Sequence, residues 1–153
     1  MAHVTVIDML TEDHKVVDAL MTSYDGADGE RRDRLVHGII ESLTKHTRIE
    51  EQILYPFIRA EVSDGDELVD EAEQEHQEAK DEIAKLSDLS PDDPAFDEAF
   101  QTLRDGVRHH VEEEETEVFP KLTEATDEAT LVALGARLAQ ATALSTRAPR
   151  PTE

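Results

Sequence analysis

Four long segments of this chain carry apolar residues at every third or fourth position, and a histidine interrupts each apolar stripe near its middle. In the first segment the stripe consists of Ile7, Leu10, His14, Val17 and Met21. This spacing places the side chains on one face of an α-helix, and an apolar helix face packs against other elements. The chain is therefore predicted to be helical, with histidines inside its core.

Short breaks rich in Gly, Pro and Asp separate the segments, around Gly26 and Gly29, around Gly65, and at 90–94. No strand pattern competes with the helical one. The periodicity predicts helices over about 5–24, 30–61, 66–88, 94–124 and 127–144. Because the connections are short, we expect an all-α fold with an up-down-up-down antiparallel four-helix bundle and an additional C-terminal helix.

A single domain is expected over 1–145, with the bundle at about 5–124 and the extra helix at about 127–144. That extra helix is rich in Ala and Leu. It could pack outside the bundle, at one end of it, or in a dimer contact, so the oligomeric state stays open. Residues 146–153 are predicted to form a disordered tail.

The chain is strongly acidic, with a net charge of −22 at pH 7. Nucleic acids and anionic membranes attract Lys and Arg, so neither is expected as a partner. No apolar run approaches the ~20 residues of a membrane span, and the N-terminus does not resemble a signal peptide, so a cytoplasmic location is expected. The chain has no Cys, so a metal would be bound through nitrogen and oxygen, which suits iron, manganese or zinc.

A pattern of His, Glu, aromatic residue and Pro occurs twice with the same spacing. His46, Glu50, Glu51, Tyr55 and Pro56 in the second helix correspond to His110, Glu114, Glu115, Phe119 and Pro120 in the fourth. The preceding helices match more faintly, with Glu12-Asp13-His14 in the first and Gln74-Glu75-His76 in the third. Each proline removes a backbone donor and is expected to kink or end its helix.

Two of the repeated carboxylates fall on the apolar stripes. Residues four apart lie about 6 Å from each other on one helix face, so His46 with Glu50, and His110 with Glu114, could reach one ion or neighbouring ions. An unpaired buried carboxylate costs several kcal/mol, and two cations would neutralise both. We therefore predict a site for two metal ions with the ligands His14, His46, Glu50, His76, His110 and Glu114.

Simpler interpretations account for other residues of the same types. One buried histidine alone would more often be a hydrogen-bonded core residue, and the run 112–115 would more often be a solvated acidic face. His109 and Glu113 are also four apart, but the repeat aligns His110 with His46. His109 is accordingly predicted to lie at the surface.

The order His14, His46-x-x-x-Glu50, His76, His110-x-x-x-Glu114 resembles the hemerythrin-like, or HHE cation-binding, domain family over about residues 5–124. The resemblance implies a four-helix bundle that holds two iron ions with a bridging oxo or hydroxo group. It also implies reaction with dioxygen or related small molecules.

Two positions depart from the members of that family that carry oxygen reversibly. Those proteins have a second histidine one turn after the third-helix histidine, where this chain has Lys80, and an Asp where it has Glu115. The site therefore lacks one imidazole. Water would take its place first, and the possible protein ligands are Glu73, Tyr55 and Tyr24.

A site with fewer imidazoles favours chemistry over storage, because a substrate can coordinate the metal directly. The leading hypothesis is a hemerythrin-like non-haem di-iron protein that binds and reacts with hydrogen peroxide, dioxygen or nitric oxide, and whether it acts as an oxidoreductase stays open. The alternatives are reversible binding of dioxygen or nitric oxide, an oxygen or iron sensor without catalysis, and a zinc ion that only stabilises the bundle. The sequence singles out no catalytic acid or base.

Overall fold

The computed structural model describes residues 4–146, with no side-chain description for 145 and 146. The helices are α1 (Val6–Ser23), α2 (Gly29–Ile49), α3 (Tyr55–Glu61), α4 (Gly65–Ser87), α5 (Pro94–Glu113), α6 (Phe119–Ala125) and α7 (Glu128–Thr146). A short 3-10 turn, Tyr24–Gly26, follows α1. Two π-helical turns, Glu50–Leu54 and Glu114–Val118, join α2 to α3 and α5 to α6.

These elements confirm the predicted all-α bundle with an additional helix. Helices α2 and α3 form one long helical segment, and α5 and α6 form another. These two segments pack against α1 and α4, their antiparallel neighbours. Two predicted helix starts are present as capped ends. Thr5 and Asp8 form a reciprocal capping box, and Asp93 accepts a hydrogen bond from the Ala95 N–H at 2.9 Å. Within 4–146, no helix is both long and apolar enough to cross a membrane.

Pro56 and Pro120 were expected to kink or end their helices, and neither proline ends one. Each helix instead widens into a π-helical turn just before the proline and continues to Glu61 or Ala125. A π turn bonds residues five apart, which inserts one extra residue without breaking the helix. The repeated proline therefore marks a change in helical pitch.

The core consists of two apolar clusters separated by a polar layer. The first cluster contains Val6, Leu10, Ile49, Ile53, Leu54, Tyr55, Ile58, Val62, Leu68, Val69, Ala72, Val118, Phe119, Leu122, Leu131, Leu134 and Leu138. The second contains Val17, Met21, Tyr24, Val36, Ile39, Leu43, Leu86, Phe96, Ala99, Phe100, Leu103 and Val107. Along α1, His14 lies between Leu10 of one cluster and Val17 of the other, so the apolar layers enclose the histidines.

Helix α7 covers the end of the bundle that carries the first cluster. Leu131, Leu134 and Leu138 are buried there. A side chain at Gly135 would place its Cβ only 3.0 Å from the Val6 nitrogen, which shows how closely α7 approaches the start of α1. Of the predicted tail, Thr146 ends α7, and 147–153 lie outside the described residues.

Replacing Gly65 by Ala is expected to lower the free energy of unfolding by about 3 kcal/mol, because its Cβ would collide with the backbone carbonyl of Ile58. The Ile58 carbonyl is part of the backbone, so it cannot move away as the end of a flexible side chain could. Gly38→Ala is the matched control: nothing lies within 4 Å of its Cβ, so helix propensity alone should raise stability by up to about 1 kcal/mol. Urea unfolding of both variants tests this, and equal effects would contradict the close packing of α3 on α4.

Candidate metal centre

The six predicted ligands meet in the polar layer between the two apolar clusters. Glu50 and Glu114 are 0% and 1% exposed, so neither carboxylate has access to bulk water. His14, His76 and His110 are also buried, and the His46 side chain is only 10% exposed. Each comes from a different segment: His14 from α1, His46 from α2, His76 from α4, His110 from α5, and the two Glu from the π turns.

On one side of the layer, His14, His46, Glu50 and Glu114 can each direct one ligand atom into a space where these atoms lie within 4.8 Å of one another. His14 Nε2 is 3.2 Å from Glu114 Oε1. His46 Nε2 is 2.6 Å from Glu50 Oε1. Two imidazoles and two carboxylates at these distances form a donor set for one cation.

On the other side, Glu50 joins His76 and His110 in a second group of the same kind. The Nε2 atoms of His76 and His110 are 3.2 Å apart. His110 Nε2 is also 3.2 Å from Glu114 Oε2. The two groups share Glu50, so two cations bound here would be neighbours.

Carboxylates surround the histidines on the side away from the centre. His76 Nδ1 lies 2.9 Å from Glu51 Oε1, and His110 Nδ1 lies 2.8 Å from Glu75 Oε1. His46 Nδ1 is 3.5 Å from Asp13 Oδ2. His14 Nδ1 is 3.9 Å from Glu115 Oε1.

These contacts follow the internal repeat, since residues preceding the lone histidines and following the ligand glutamates supply them in both halves. A carboxylate that accepts the Nδ1 proton of a histidine leaves its Nε2 lone pair for a metal. With both Nδ1 atoms protonated, the lone pairs of His76 and His110 face each other. A metal cation between them would bind both lone pairs.

Several buried atoms of the centre lack a hydrogen-bond partner of acceptable geometry, although they are close to one another. They are both ring nitrogens of His14 and of His46, Glu50 Oε1 and Glu114 Oε1. Buried polar atoms are nearly always hydrogen-bonded, and each unpaired one costs about 1–3 kcal/mol. All these atoms belong to the four residues of a single donor group, so the residues present fit a metal ion.

Comparison with known proteins agrees with this geometry. The family model described as Hemerythrin HHE cation binding domain matches residues 5–122. This chain belongs to that family. A solved structure of a hemerythrin HHE cation binding domain-containing protein from Mycobacterium kansasii superimposes on this HHE domain with a TM-score of 0.79 and 25% identity, over 94% of this chain and 90% of the other.

A protein of a Nostoc species, named a DNA nickase, is 32% identical to this HHE domain over 115 residues. The match covers 73% of this chain but 32% of the Nostoc protein. The HHE domain therefore spans about a third of the length of that relative.

The charges of the centre perturb its titration. Burial favours the neutral form of Glu50, but the charge of His46 and hydrogen bonds with His110, His46 and Glu114 together outweigh burial and hold the Glu50 pKa well below its ordinary value. Burial would lower the pKa of His46, but the charges of Glu50 and Glu114 and hydrogen bonds to Asp13 and Glu50 together raise it to about 10. The carboxylates of Glu114, Glu50 and Glu75 likewise outweigh burial and raise the pKa of His110. Without a metal ion, His46 keeps its proton at neutral pH, and a bound cation would displace it.

Tyr55 reaches the centre because of the π turn. In an uninterrupted α-helix a residue five positions on lies about 140° around the axis. Here the Tyr55 N–H bonds to the Glu50 carbonyl, which brings Tyr55 over Glu50. Its hydroxyl lies 3.1 Å from Glu50 Oε2, 3.0 Å from Glu114 Oε2 and 3.2 Å from His76 Nε2. Burial and the two carboxylates raise its pKa well above the ordinary value.

The corresponding residue of the other half is Phe119, whose N–H bonds to the Glu114 carbonyl. Its ring is parallel to that of His14, with centroids 6.1 Å apart. The two halves of the HHE domain thus differ at this place, because one presents a phenol and the other a phenyl ring. The centre is chemically asymmetric as a result.

The other two candidates for an additional ligand lie elsewhere. Tyr24 belongs to the second apolar cluster, where its hydroxyl donates to Asp97 Oδ1 at 2.9 Å and its ring stacks on Phe100. Glu73 is exposed, and its carboxylate lies 3.5 Å from the Arg59 guanidinium at the surface of the bundle.

Lys80 and His109 are also outside the centre. Lys80 Nζ lies 3.4 Å from Glu51 Oε1, so it contacts a carboxylate that holds His76. His109 is 64% exposed and lies 3.0 Å from Glu113. The buried pair on α5 and its π turn is therefore His110 with Glu114, as the repeat predicts.

Tyr24 provides a test of the packing in the second apolar cluster. Burial and the hydrogen bond to Asp97 raise its pKa from 10.0 to about 12. Because folding favours the neutral phenol, its contribution to stability is full below pH 10 and is lost as the pH rises towards about 12.

Near-ultraviolet titration of a Tyr55→Phe variant would isolate Tyr24, since the chain has two Tyr and no Trp. We expect little ionisation of the folded protein at pH 10. The same variant unfolded in urea should titrate at the ordinary value. Half-ionisation at pH 10 in the folded state would contradict the buried hydrogen bond.

Proposed function

We propose that this HHE domain is a cytoplasmic non-haem iron protein that binds two iron ions with a bridging oxo or hydroxo group and reacts with small oxidants. The proposed small oxidants are hydrogen peroxide, dioxygen and nitric oxide. The observation that carries the proposal is the enclosure of four histidines and two carboxylates between two apolar layers, with their unpaired atoms directed at each other.

Iron suits this donor set better than softer metals do. All donors are imidazole nitrogens or carboxylate oxygens, and no thiolate is available because the chain lacks Cys. Iron bound here would supply open coordination positions and one-electron redox chemistry to a small oxidant.

The protein residues would fix the arrangement of the donors. His14, His46 and Glu50 would bind on one side, and His76 with His110 on the other. Glu51 and Glu75 hold the Nδ1 protons of His76 and His110, so their Nε2 atoms stay directed inward. The two apolar clusters pack against the centre from either side.

We further propose Tyr55 as the additional ligand or hydrogen-bond donor of the centre, since its hydroxyl touches three of the six residues. Phenolate bound to ferric iron would give a visible charge-transfer band. Tyr55→Phe is expected to abolish that band while two irons remain bound. Phe119→Tyr is the matched variant in the other half. A wild-type spectrum without such a band would assign Tyr55 the role of hydrogen-bond donor.

The proposal is tested by elemental analysis of the purified, untagged protein, with an absorption spectrum of the same sample. We expect about two irons per chain, following from the two donor groups. Adding hydrogen peroxide or nitric oxide to the reduced protein should change the spectrum and consume the oxidant. Zinc at full occupancy, or iron that leaves every oxidant unchanged, would contradict the redox function.

Reversible binding of dioxygen or nitric oxide, or sensing of oxygen or iron, is the alternative. An oxygenated spectrum that reverses under vacuum would favour it over catalysis. The nickase activity named for the Nostoc protein is not proposed for this chain, because the net charge of −22 does not favour contact with DNA phosphates.

A further inference from the structure

A cavity of about 550 Å³ lies next to the candidate metal centre, within the bundle. His14, His46, His76 and His110 all line it, so it ends at the donor atoms. Its lining comes from α1, α2, α4 and α5 and extends from the centre into the second apolar cluster.

The wall away from the histidines is largely apolar. Its apolar part is formed by Val17, Leu43, Ala79, Ile83, Leu103, Val107 and Val111, and the lining also includes Glu78, Glu82 and Thr102. The lining also includes the exposed residues Thr44, Arg48 and Lys80, so the cavity communicates with solvent. A molecule in the cavity would contact polar groups at the histidine end and the solvent-exposed rim, and aliphatic side chains between them.

The size of this space exceeds what a peroxide or a diatomic gas needs. A water molecule occupies about 30 Å³ in the liquid, and hydrogen peroxide is only slightly larger. Pockets that bind organic ligands have volumes of about 300–1,000 Å³, mostly apolar walls and a few polar groups that orient the ligand. The cavity matches that description in volume, in wall chemistry and in the position of its polar end.

Two adjacent residues of α4, Ala79 and Lys80, line this space. Ala79 has the smallest side chain that could line it at that place, and the Lys80 ammonium lies beside Glu51 rather than further inside. Larger side chains at 79 would fill the cavity. The volume of the cavity is therefore expected to fall when a larger side chain replaces Ala79.

We propose that the cavity binds an apolar organic molecule with one terminal oxygen function, of the class of aryl or alkyl hydroperoxides. The oxygen end would lie at the histidines and the hydrocarbon part against Leu43, Ile83 and Val107. This inference rests on the proposed function for its chemistry. Two-electron reduction of the hydroperoxide would break its O–O bond, take up two protons and yield an alcohol and water. Two ferrous ions held by the candidate ligands would supply one electron each.

Binding is tested first, independently of turnover, with 2-phenylpropan-2-ol, the alcohol formed from cumene hydroperoxide. We expect the full-length zinc-loaded protein to bind it with a dissociation constant of about 1 mM or tighter, as its ten heavy atoms allow. Methyl NMR shifts should be confined to the wall residues. Failure of the wild type to bind this probe, or shifts elsewhere, would overturn the proposal.

The variant Ala79→Phe should weaken probe binding at least about tenfold, because the ring occupies the cavity. Ala84→Phe is the matched control, since Ala84 is exposed on the same helix and does not line the cavity. Ile83→Phe provides a second filled cavity if Ala79→Phe fails to fold. Unchanged binding in a folded filled variant would overturn the proposal.

Turnover separates this inference from the proposed function. In single-turnover oxidation of the ferrous protein, Ala79→Phe should lower the second-order rate constant for cumene hydroperoxide at least about tenfold and change that for hydrogen peroxide less than about threefold. Equal losses for both peroxides would overturn the selective role of the cavity. A protein that binds the alcohol but reduces neither peroxide would contradict the proposed redox function and leave the binding site established.

Discussion

A Glu114→Ala variant is expected to bind no more than one of the two irons and to lose nearly all reaction with peroxide. Glu114 is 1% exposed, and its two oxygens lie 3.2 Å from His14 Nε2 and His110 Nε2. Removing it takes a carboxylate from one donor group and a negative charge from beside both histidines. The measurement is iron per folded chain after equilibrium dialysis, together with the rate of peroxide loss.

The neighbouring Glu115 provides the matched control. Its side chain is 34% exposed, and it contacts only the outer Nδ1 of His14, at 3.9 Å. Glu115→Ala should keep both irons and weaken metal affinity by about tenfold at most, as expected for a group that only orients a ligand. Two irons bound normally by Glu114→Ala would remove this residue from the centre.

Removal of the metal is expected to lower the melting temperature by about 8–16 °C. Metal held at 1,000 times its dissociation constant stabilises the folded state by about 4 kcal/mol, and each kcal/mol corresponds to about 2–4 °C for a chain of this length. The physical reason is the buried charge of Glu50 and Glu114, which a cation neutralises. Calorimetry of iron-loaded and chelator-treated protein measures the difference.

A His76→Ala variant serves as the control for that experiment. His76 Nε2 lies 3.2 Å from His110 Nε2, so its loss removes a donor from the second group. The chelator should then shift the melting temperature much less than in the wild type. A metal-free wild type that melts at the same temperature as the loaded protein would contradict a cation in this layer.

The order and type of the helices could be predicted from the sequence because each apolar stripe keeps one period throughout a segment. His14, with Leu10 before it and Val17 after it, already indicated that a polar group lies on a buried face. The repeat then selected His110 over His109. Those inferences needed only helical periodicity and the cost of an unpaired buried charge.

The carboxylates that contact the Nδ1 atoms of the histidines belong to the repeat, but the repeat alone does not predict these contacts. Asp13 and Glu75 each precede a lone histidine, and Glu51 and Glu115 each follow a ligand glutamate. Residues adjacent in sequence point about 100° apart on a helix. Which neighbouring helix each carboxylate reaches depends on how the helices pack, and helical periodicity contains no information on that packing.

Tyr55 illustrates the same limit. On an ideal helix it lies on the opposite side from His46, and the proline after it suggested only a kink. Nothing in the sequence favoured Tyr55 over Tyr24 or Glu73 as an additional ligand. The π turn over Glu50–Leu54 brings the Tyr55 hydroxyl against Glu50 and Glu114, and tertiary packing holds Tyr24 on Asp97 and Glu73 near Arg59.

The sequence by itself determined the helical class and which His and Glu side chains face the core, because both follow from local periodicity along one chain segment. The tertiary structure alone decided the pairing of donors into two groups, the place of Tyr55 and the existence of the cavity. Those features depend on distances between different helices, and such distances are set by how whole side-chain layers pack against one another.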